Sequence, residues 1–186
     1  MEFQIIIKSS NHQIIIIVPS IFASKYGHFE NTNRLFTDGS VKNGTTGFGV
    51  AHCRQKAKFR LKSPCSIYIA ELIAIFHAIQ IIESLEPKQC FIFSDSVSSL
   101  EALKTQKIGR GSSIYLLKIK NMIRNLKLRN YKISLVWIPS HCRITGNEEA
   151  DILANEGRES EVIFERHEQY EEFLFLPKHS TMRDWQ

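Results

Sequence analysis

The sequence lacks paired cysteines and long apolar runs. None of its four cysteines belongs to a Cys-x-x-Cys pair, and they stand far apart in the chain: Cys53, Cys65, Cys90 and Cys142. This spacing argues against a disulfide scaffold or a zinc ribbon and favours a reducing intracellular compartment, without distinguishing nucleus from cytoplasm. The longest isoleucine-rich runs, residues 5–7 and 14–18, are too short to span a bilayer. We therefore expect no membrane or signal segment.

Zinc binding stays open as an alternative at two adjacent pairs, His52-Cys53 and His141-Cys142. Successive side chains of a strand point to opposite faces of a sheet, which disfavours ligation of one ion by neighbouring residues.

The length of 186 residues, with 43% hydrophobic and 23% charged residues, is typical of one folded domain with short extensions. We place the main domain at residues 34–157, between an N-terminal leader or linker at 1–33 and an acidic C-terminal extension at 158–186. Residues 1–150 carry 20 Lys and Arg against 10 Asp and Glu, whereas residues 151–186 carry 4 against 9. A basic body favours a polyanionic partner, although solvated surface lysines explain the same charge.

The periodicity predicts an α/β fold with the order three strands, helix, strand, two helices, strand, helix. We expect strands at residues 34–37, 47–51, 57–62, 90–93 and 131–137. The dipeptide Asn43-Gly44 predicts a hairpin between the first two strands. A helix that is apolar nearly all round covers residues 67–85, and Asn147 is expected to cap a last helix that ends at Gly157.

Three carboxylates stand where a charge is costly. Asp38 and Asp95 end or interrupt apolar runs that are typical of strands, and Glu71 lies on the buried face of the apolar helix. A cation must offset the desolvation of these groups, and a metal ion is the first candidate. For Glu71 alone, a buried pair with an arginine is the alternative.

A fourth carboxylate, Asp151, follows His141 by ten residues, at the start of the last helix. Two carboxylates from strands and two from helices have the composition of a phosphoryl-transfer site with two Mg²⁺ ions, because hard cations take oxygen ligands. Each short motif is unspecific by itself, but their order and spacing together are specific.

Four segments resemble the signature blocks of type I ribonuclease H, most closely the domain that follows the reverse transcriptase in non-LTR retrotransposons. They are Asp38-Gly39-Ser40, Ala70-Glu71-Leu72, Ser94-Asp95-Ser96, and His141 with residues 146–151. The resemblance covers residues 34–157. It implies a ribonuclease H-like fold, in which a five-stranded mixed sheet of three antiparallel and then two parallel strands is flanked by helices. It also implies two-metal hydrolysis of the RNA strand of RNA:DNA hybrids, with 5′-phosphate and 3′-hydroxyl products.

The resemblance also implies roles for single residues. Asp38, Glu71, Asp95 and Asp151 would ligate two Mg²⁺ ions, for which Mn²⁺ would substitute. His141 would assist proton transfer or product departure on a mobile loop, since histidine titrates near neutrality. The expected substrate contacts are Gly39, Ser40, Asn43, Ser96, Asn147 and Arg143. A covalently linked or associated reverse transcriptase is a further implied partner, and the sequence does not indicate an oligomeric state.

The chain departs from the family pattern in three places. Ile67 and Tyr68 stand where bacterial relatives have an asparagine pair that reads the hybrid. Arg143 stands where retroelement sequences usually have glycine, and we expect it to contact a substrate phosphate. No separate hybrid-binding module precedes Arg34, so we expect modest affinity unless a neighbouring polymerase holds the substrate.

Two basic segments are candidates for phosphate contacts. The strand at 57–62 and its flank carry Arg54, Lys56, Lys58, Arg60 and Lys62, where basic residues also protect an edge strand from aggregation. The helix at 113–128 carries Lys118, Lys120, Arg124 and Lys127 and is the better candidate for the DNA strand.

Two rival functions remain. One is a nuclease-fold module that binds nucleic acid or braces a reverse transcriptase without cutting. The other is a DNA exonuclease of the same superfamily, which would usually open with Asp-x-Glu, whereas residue 40 is serine.

Overall fold

The structure is a computed structural model that describes residues 5–6, 19–27, 33–86, 88–105 and 112–165. Its strands are β1 (Ile5–Ile6), β2 (Arg34–Lys42), β3 (Thr45–Ala51), β4 (Ala57–Leu61), β5 (Gln89–Ser94), β6 (Lys132–Trp137) and β7 (Ile163–Phe164). Its helices are α1 (Pro19–Tyr26), α2 (Ile67–Leu85), α3 (Val97–Lys104), α4 (Ile114–Leu128) and α5 (Thr145–Gly157).

The strands form one mixed sheet in the order β1-β6-β5-β2-β3-β4-β7. Strands β2, β3 and β4 are antiparallel neighbours, whereas β5 runs parallel to β2, and β6 runs parallel to β5. The predicted mixed α/β fold, with three antiparallel strands followed by two parallel ones, is confirmed. These five strands form the centre of the sheet, and the two-residue strands β1 and β7 extend it at its edges to seven.

The turn between β2 and β3 consists of Asn43 and Gly44, as predicted. Both residues have positive φ, 51° and 71°. Two left-handed residues match the right-handed twist of the flanking strands, which explains why this dipeptide closes the hairpin.

Helices α2, α3 and α4 cover one face of the sheet. Leu35, Phe48 and Ile92 alternate onto this face from three neighbouring strands and belong to the same buried cluster as Ile75 and Ile79 of α2. By length and apolar composition α2 would also pass for a membrane span, but most of its residues are buried inside the fold. It is the core helix of this domain, and its position places Glu71 beside β2.

Helices α1 and α5 cover the opposite face. Phe93 of β5 lies 4.9 Å from the ring of Phe36, 5.0 Å from that of Phe22 and 5.1 Å from that of Tyr26, measured between ring centroids. Phe22 and Tyr26 belong to α1, a helix that the sequence analysis did not predict in residues 1–33. The division of the chain at residues 33 and 158 stays a prediction. Both α1 and β7 lie outside residues 34–157, yet α1 contributes to the core and β7 to the sheet.

The basic strand β4 is not the edge of the sheet, because β7 pairs with it. Three lysines on and beside β4 form ion pairs with acidic residues, two of them on α5: Lys56 with Glu149, Lys58 with Glu156 at 2.8 Å, and Lys62 with Glu165 at 3.0 Å. These ion pairs are exposed, so each contributes little to stability. The glutamates compete with phosphates for the three lysines.

The start of α5 differs from the sequence-based expectation. The helix begins at Thr145 after Ile144, so the prediction that Asn147 caps it is wrong. Asn147 instead lies inside the first turn and is 4% exposed. The predicted end of the helix at Gly157 is confirmed.

Helix α5 approaches β3 so closely that only glycine fits at Gly49. A Cβ atom added there would lie 2.5 Å from the backbone nitrogen of Ala154 and 2.6 Å from the carbonyl oxygen of Ala150. We expect Gly49→Ala to destabilise the fold by about 3 kcal/mol, the upper end for overpacking, because backbone atoms cannot move aside. Gly44→Ala is the matched control: it meets no atom within 4 Å, so only its positive φ of 71° opposes it, at about 1–2 kcal/mol. Chemical denaturation measures both, and an equal loss in the two variants would contradict the close approach.

Candidate active site

Three carboxylates on different elements meet beside the carboxyl end of β5. Asp38 lies in the middle of β2, Asp95 directly follows β5, and Glu71 lies on α2. One oxygen of each carboxylate lies within 4.8 Å of the others. The three acids that the sequence analysis singled out, up to 57 positions apart in the chain, therefore form one cluster.

The strand pairing accounts for the meeting of Asp38 and Asp95. Strand β5 runs parallel to β2, with Thr37 opposite Ser94, so the residue after each of this pair lies at the same level of the sheet. The Thr37 hydroxyl donates to the carbonyl of Phe93 at 3.3 Å, and the indole N–H of Trp137 donates to the carbonyl of Asp95 at 3.1 Å. These contacts fix the backbone of β5 where it delivers Asp95.

Gly39 brings Glu71 to the same point. Its backbone N–H donates to Glu71 Oε1 at 3.1 Å. A Cβ atom on Gly39 would lie 2.9 Å from the backbone nitrogen of Glu71 and 3.0 Å from the Cβ of Ala70. The missing side chain therefore lets α2 approach β2 closely enough for the carboxylate to reach the cluster.

The cluster concentrates negative charge away from water. Asp38 is 9% exposed and Glu71 is 5% exposed. Burial, and then the charges of Asp95 and Asp151, raise the pKa of Asp38 to about 7. Burial, followed by the charges of Asp38 and Asp95, also raises the pKa of Glu71 well above its usual range. Without a cation, the site at neutral pH therefore retains protons that these groups would lose in water.

The donor set of this cluster fits Mg²⁺. Within the described ranges, neither Asp38 nor Glu71 forms an ion pair with a lysine or arginine, so the buried Glu–Arg pair considered for Glu71 is absent there. Glu71 Oε2 is a buried acceptor without a hydrogen-bond partner in the part of the chain that the structure describes. Carboxylate oxygens are the ligands that hard divalent cations take, and a cation would satisfy this atom.

The zinc alternative finds no comparable cluster. Apart from these three acids, the described residues bring together no other group of three or more His, Cys, Asp or Glu side chains at metal-binding distances. None of the four cysteines, all of which lie in the described ranges, forms a disulfide bond.

Asp151 reaches the site from α5 and stands slightly apart from the three clustered acids. It lines the same cavity, and its charge is one of the causes that raise the pKa of Asp38. Its Oδ1 accepts a hydrogen bond from the side-chain amide of Asn155 at 2.8 Å.

The site opens into a cavity of about 340 Å³. Eight residues that the sequence analysis proposed line it: Asp38, Gly39, Glu71, Asp95, Ser96, His141, Asn147 and Asp151. His141 is exposed and has a φ of 53°, in the loop before α5. Asn147 is buried, and its Oδ1 has no hydrogen-bond partner among the described residues. The roles of these residues in substrate binding stay predictions.

Three proposed substrate contacts lie outside this cavity. Ser40 turns its hydroxyl to α5, where it donates to Asn155 Oδ1 at 2.8 Å. Asn43 is an exposed turn residue five positions beyond Asp38, roughly 16 Å along the strand. Arg143 lines a second cavity, of about 450 Å³, with Phe22. Contact of these three residues with a substrate stays a prediction, as does contact by the Gly39 N–H, which Glu71 occupies.

Several residues at the site were missed from the sequence. Glu148 lines the cavity and accepts a hydrogen bond from the backbone N–H of Arg143 at 3.1 Å. Asn155 contacts Asp151, and Arg158 contacts Asn155. The spacing of four between Asp151 and Asn155 is that of neighbours on one helix face and could have found this contact. Arg158 fell just beyond the proposed domain end.

One family model and two solved structures are similar to this chain. A model of the RNase H family matches residues 30–159. No curated protein sequence matches the chain. Among solved structures, the chain is similar to the N-terminal RNase H domain of a Mycobacterium tuberculosis protein, solved as a fusion with maltose-binding protein: identity is 18%, coverage is 68% of this chain and 94% of that one, and the TM-score is 0.51. RNase H1 from Halobacterium salinarum NRC-1 is also similar, with 18% identity, coverage of 67% of this chain and 95% of that one, and a TM-score of 0.49.

The raised pKa values predict an unusual pH dependence of stability. Without metal, the pKa of Asp38 is raised to about 7 in the folded state, whereas the pKa of an aspartate in the unfolded chain is about 4. Between these values the folded state binds more protons, so the free energy of unfolding falls as pH rises through this window. We expect the metal-free melting temperature to fall between about pH 5 and pH 8. Mg²⁺ at about a hundred times its Kd should raise the free energy of unfolding by about 2.7 kcal/mol.

Asp38→Asn should raise the metal-free melting temperature at the upper end of this range and abolish the Mg²⁺ response, because it removes one of the repelling charges. Glu83→Gln is the matched control, since Glu83 is exposed and pairs with Arg129 away from the site. A melting temperature that Asp38→Asn lowers at every pH would contradict the metal site and indicate a structural ion pair.

Proposed function

The chain belongs to the RNase H family, and we propose that it is a metal-dependent endonuclease that hydrolyses the RNA strand of RNA:DNA hybrids. The observation that carries this proposal is the cluster of Asp38, Glu71 and Asp95, two of them buried and none neutralised by a lysine or arginine within the described ranges. Such a cluster does not stabilise the fold, because its repelling charges oppose folding at neutral pH. Binding of cations explains why these carboxylates lie together.

We further propose a two-metal mechanism. Asp38, Glu71, Asp95 and Asp151 would hold two Mg²⁺ ions, or Mn²⁺ in their place, and bound metal would activate the attacking water and balance the charge on the scissile phosphate. The Gly39 N–H orients Glu71 through Oε1, which leaves Oε2 available as a ligand. The products would be a 5′-phosphate and a 3′-hydroxyl.

His141 is the proposed proton donor or acceptor. It is exposed and lines the same cavity as the carboxylates, which gives its imidazole contact with bulk water beside the proposed substrate position. Asn147, whose buried Oδ1 lacks a partner among the described residues, is the proposed acceptor for a donor group of the substrate.

The motif resemblance supports a finer proposal, that the domain derives from a retroelement and works with a linked or associated reverse transcriptase in a reducing, intracellular compartment. The basic helix α4 is the proposed contact for the DNA strand. Two of its lysines also serve the fold: Lys120 donates to the carbonyl of Thr105, and Lys118 lies over the ring of Tyr115 at 5.3 Å. Arg124 is exposed and remains the best-placed charge on this helix for a phosphate.

Cleavage of a labelled RNA:DNA hybrid tests the proposed activity. We expect cleavage of the RNA strand with Mg²⁺ or Mn²⁺, and none of single-stranded RNA, duplex RNA or duplex DNA. We expect a rate at least about 100-fold lower in each of three variants, Asp38→Asn, Glu71→Gln and Asp95→Asn. Replacing a residue that only contacts a metal ligand already costs up to about 100-fold, so loss of a ligand should cost at least as much.

Glu83→Gln serves again as the exposed control and should keep the wild-type rate. Wild-type cleavage by any one of the three carboxylate variants would remove the two-metal mechanism. Hybrid binding without cleavage by the wild-type protein would establish the rival function, a module that binds nucleic acid without cutting it.

Arg143 is the subject of a second prediction. Its φ of 58° lies in the left-handed region that favours glycine, so Arg143→Gly should fold normally. We expect this variant to bind hybrid more weakly, with the salt dependence of binding reduced by up to about one phosphate contact, and to turn over at an equal or faster rate. Binding and steady-state cleavage across a salt series measure both quantities.

Arg143→Lys is the matched control, because it keeps the charge at the same backbone position. It should keep the wild-type salt slope. An unchanged slope in Arg143→Gly together with slower turnover would show that Arg143 supports the loop rather than contacting the substrate.

A further inference from the structure

A chain of hydrogen bonds runs from Arg158 to the carboxylate of Asp151. The Arg158 guanidinium donates through Nε to the Ser40 hydroxyl at 2.9 Å and through Nη2 to Asn155 Oδ1 at 3.2 Å. The Ser40 hydroxyl donates to the same Asn155 Oδ1 at 2.8 Å. Asn155 Nδ2 then donates to Asp151 Oδ1 at 2.8 Å and to the Asp151 carbonyl at 2.9 Å.

The chemistry of these groups determines which atom donates and which accepts in each of these hydrogen bonds. A guanidinium can only donate, so the atom of Asn155 that faces Arg158 must be its oxygen. The amide nitrogen must then face Asp151, where both of its hydrogens meet acceptors. Arg158 and the Ser40 hydroxyl satisfy the Asn155 oxygen and so hold the amide in the orientation in which its nitrogen donates to Asp151.

This hydrogen-bond network also links two elements of the site. Ser40 lies on β2, two residues after Asp38, whereas Asp151, Asn155 and Arg158 lie on or directly after α5. The network therefore ties the helix that delivers one carboxylate to the strand that delivers another. It occupies Oδ1 of Asp151 and leaves the second oxygen of this carboxylate for a ligand role.

We propose that Asn155 and Arg158 are positioning residues, which hold one oxygen of Asp151 so that the other is aimed at the metal site. This inference rests on the proposed function, since it assigns the two residues to the same metal-dependent site. Residues behind a metal ligand typically change metal affinity by about 10–100-fold when they are replaced.

Positioning and simple electrostatics predict opposite results for Arg158. A positive charge near a cation site repels the cation, so its loss through charge alone would tighten metal binding. Loss of the guanidinium as a positioning group would weaken metal binding, because Asn155 and then Asp151 would lose their fixed orientation. The sign of the change therefore separates the two roles.

The experiment measures Mn²⁺ binding by electron paramagnetic resonance on the full chain, beside the metal-free melting temperature. We expect Arg158→Met and Asn155→Leu each to weaken Mn²⁺ binding by about tenfold, and the half-saturating Mg²⁺ concentration for hybrid cleavage to rise in parallel. Ser40→Ala, a conservative change that preserves the strand, should show a smaller loss in the same direction. It keeps the test valid if either larger change prevents folding.

A double-mutant cycle identifies the residue through which they act. In an Asp151→Asn background, Asn155→Leu and Arg158→Met should have no further effect on Mn²⁺ affinity, because the carboxylate that they position is gone. Glu156→Gln is the matched control: Glu156 lies on the same helix between the two residues but pairs with Lys58 instead, and we expect wild-type Mn²⁺ affinity.

Three results would overturn the inference: unchanged Mn²⁺ affinity in both variants, tighter binding in Arg158→Met, or equal losses with and without the Asp151 carboxylate. In each of these cases wild-type Mn²⁺ binding and hybrid cleavage would leave the proposed function standing. A wild-type protein that neither binds Mn²⁺ nor cleaves the hybrid would overturn both.

Discussion

The structure is organised around the cost of placing Asp38 and Glu71 side by side out of water. Burial raises the pKa of both carboxyl groups, the charge of Asp95 adds to both shifts, and the charge of Asp38 adds to the shift of Glu71. Two ionised groups in this position repel, and no lysine or arginine within the described residues pairs with them. A divalent cation would relieve this repulsion, so the proposed affinity for metal and the expected instability without it have one physical cause.

Close packing of backbone on backbone makes this arrangement possible. Gly39 lets α2 approach β2, and Gly49 lets α5 approach β3, because a Cβ atom at either position would meet backbone atoms. Each glycine thus sets the position of one helix that carries an acid, Glu71 in the first case and Asp151 in the second. A fold with larger residues at these two points could keep the same sheet order and lose the site.

The sequence was sufficient for the fold and for the clustered acids, because both depend on strong local signals. Alternating apolar residues and the Asn43-Gly44 turn predicted the central strands and their hairpin, and a charge in an apolar segment marked Glu71. Helix α1 was missed because residues 19–26 carry a weak pattern, and its burial depends on Phe93, far along the chain. The start of α5 was misplaced because Asn147 suits a helix cap by type but lies in the first turn, buried against the cavity.

The orientation of Asp151 was beyond such reasoning for a different reason. A motif identifies which carboxylate belongs to a site, but not which of its two oxygens is free. That choice depends on Asn155, whose own orientation depends on a hydroxyl from β2 and a guanidinium that follows α5. Contact between the Ser40 backbone and a substrate stays a prediction, whereas the Ser40 hydroxyl takes part in this internal hydrogen-bond network. A short segment can therefore contain both a proposed metal ligand, Asp38, and a residue whose hydroxyl contacts the amide that holds Asp151, because strand residues two positions apart share a face.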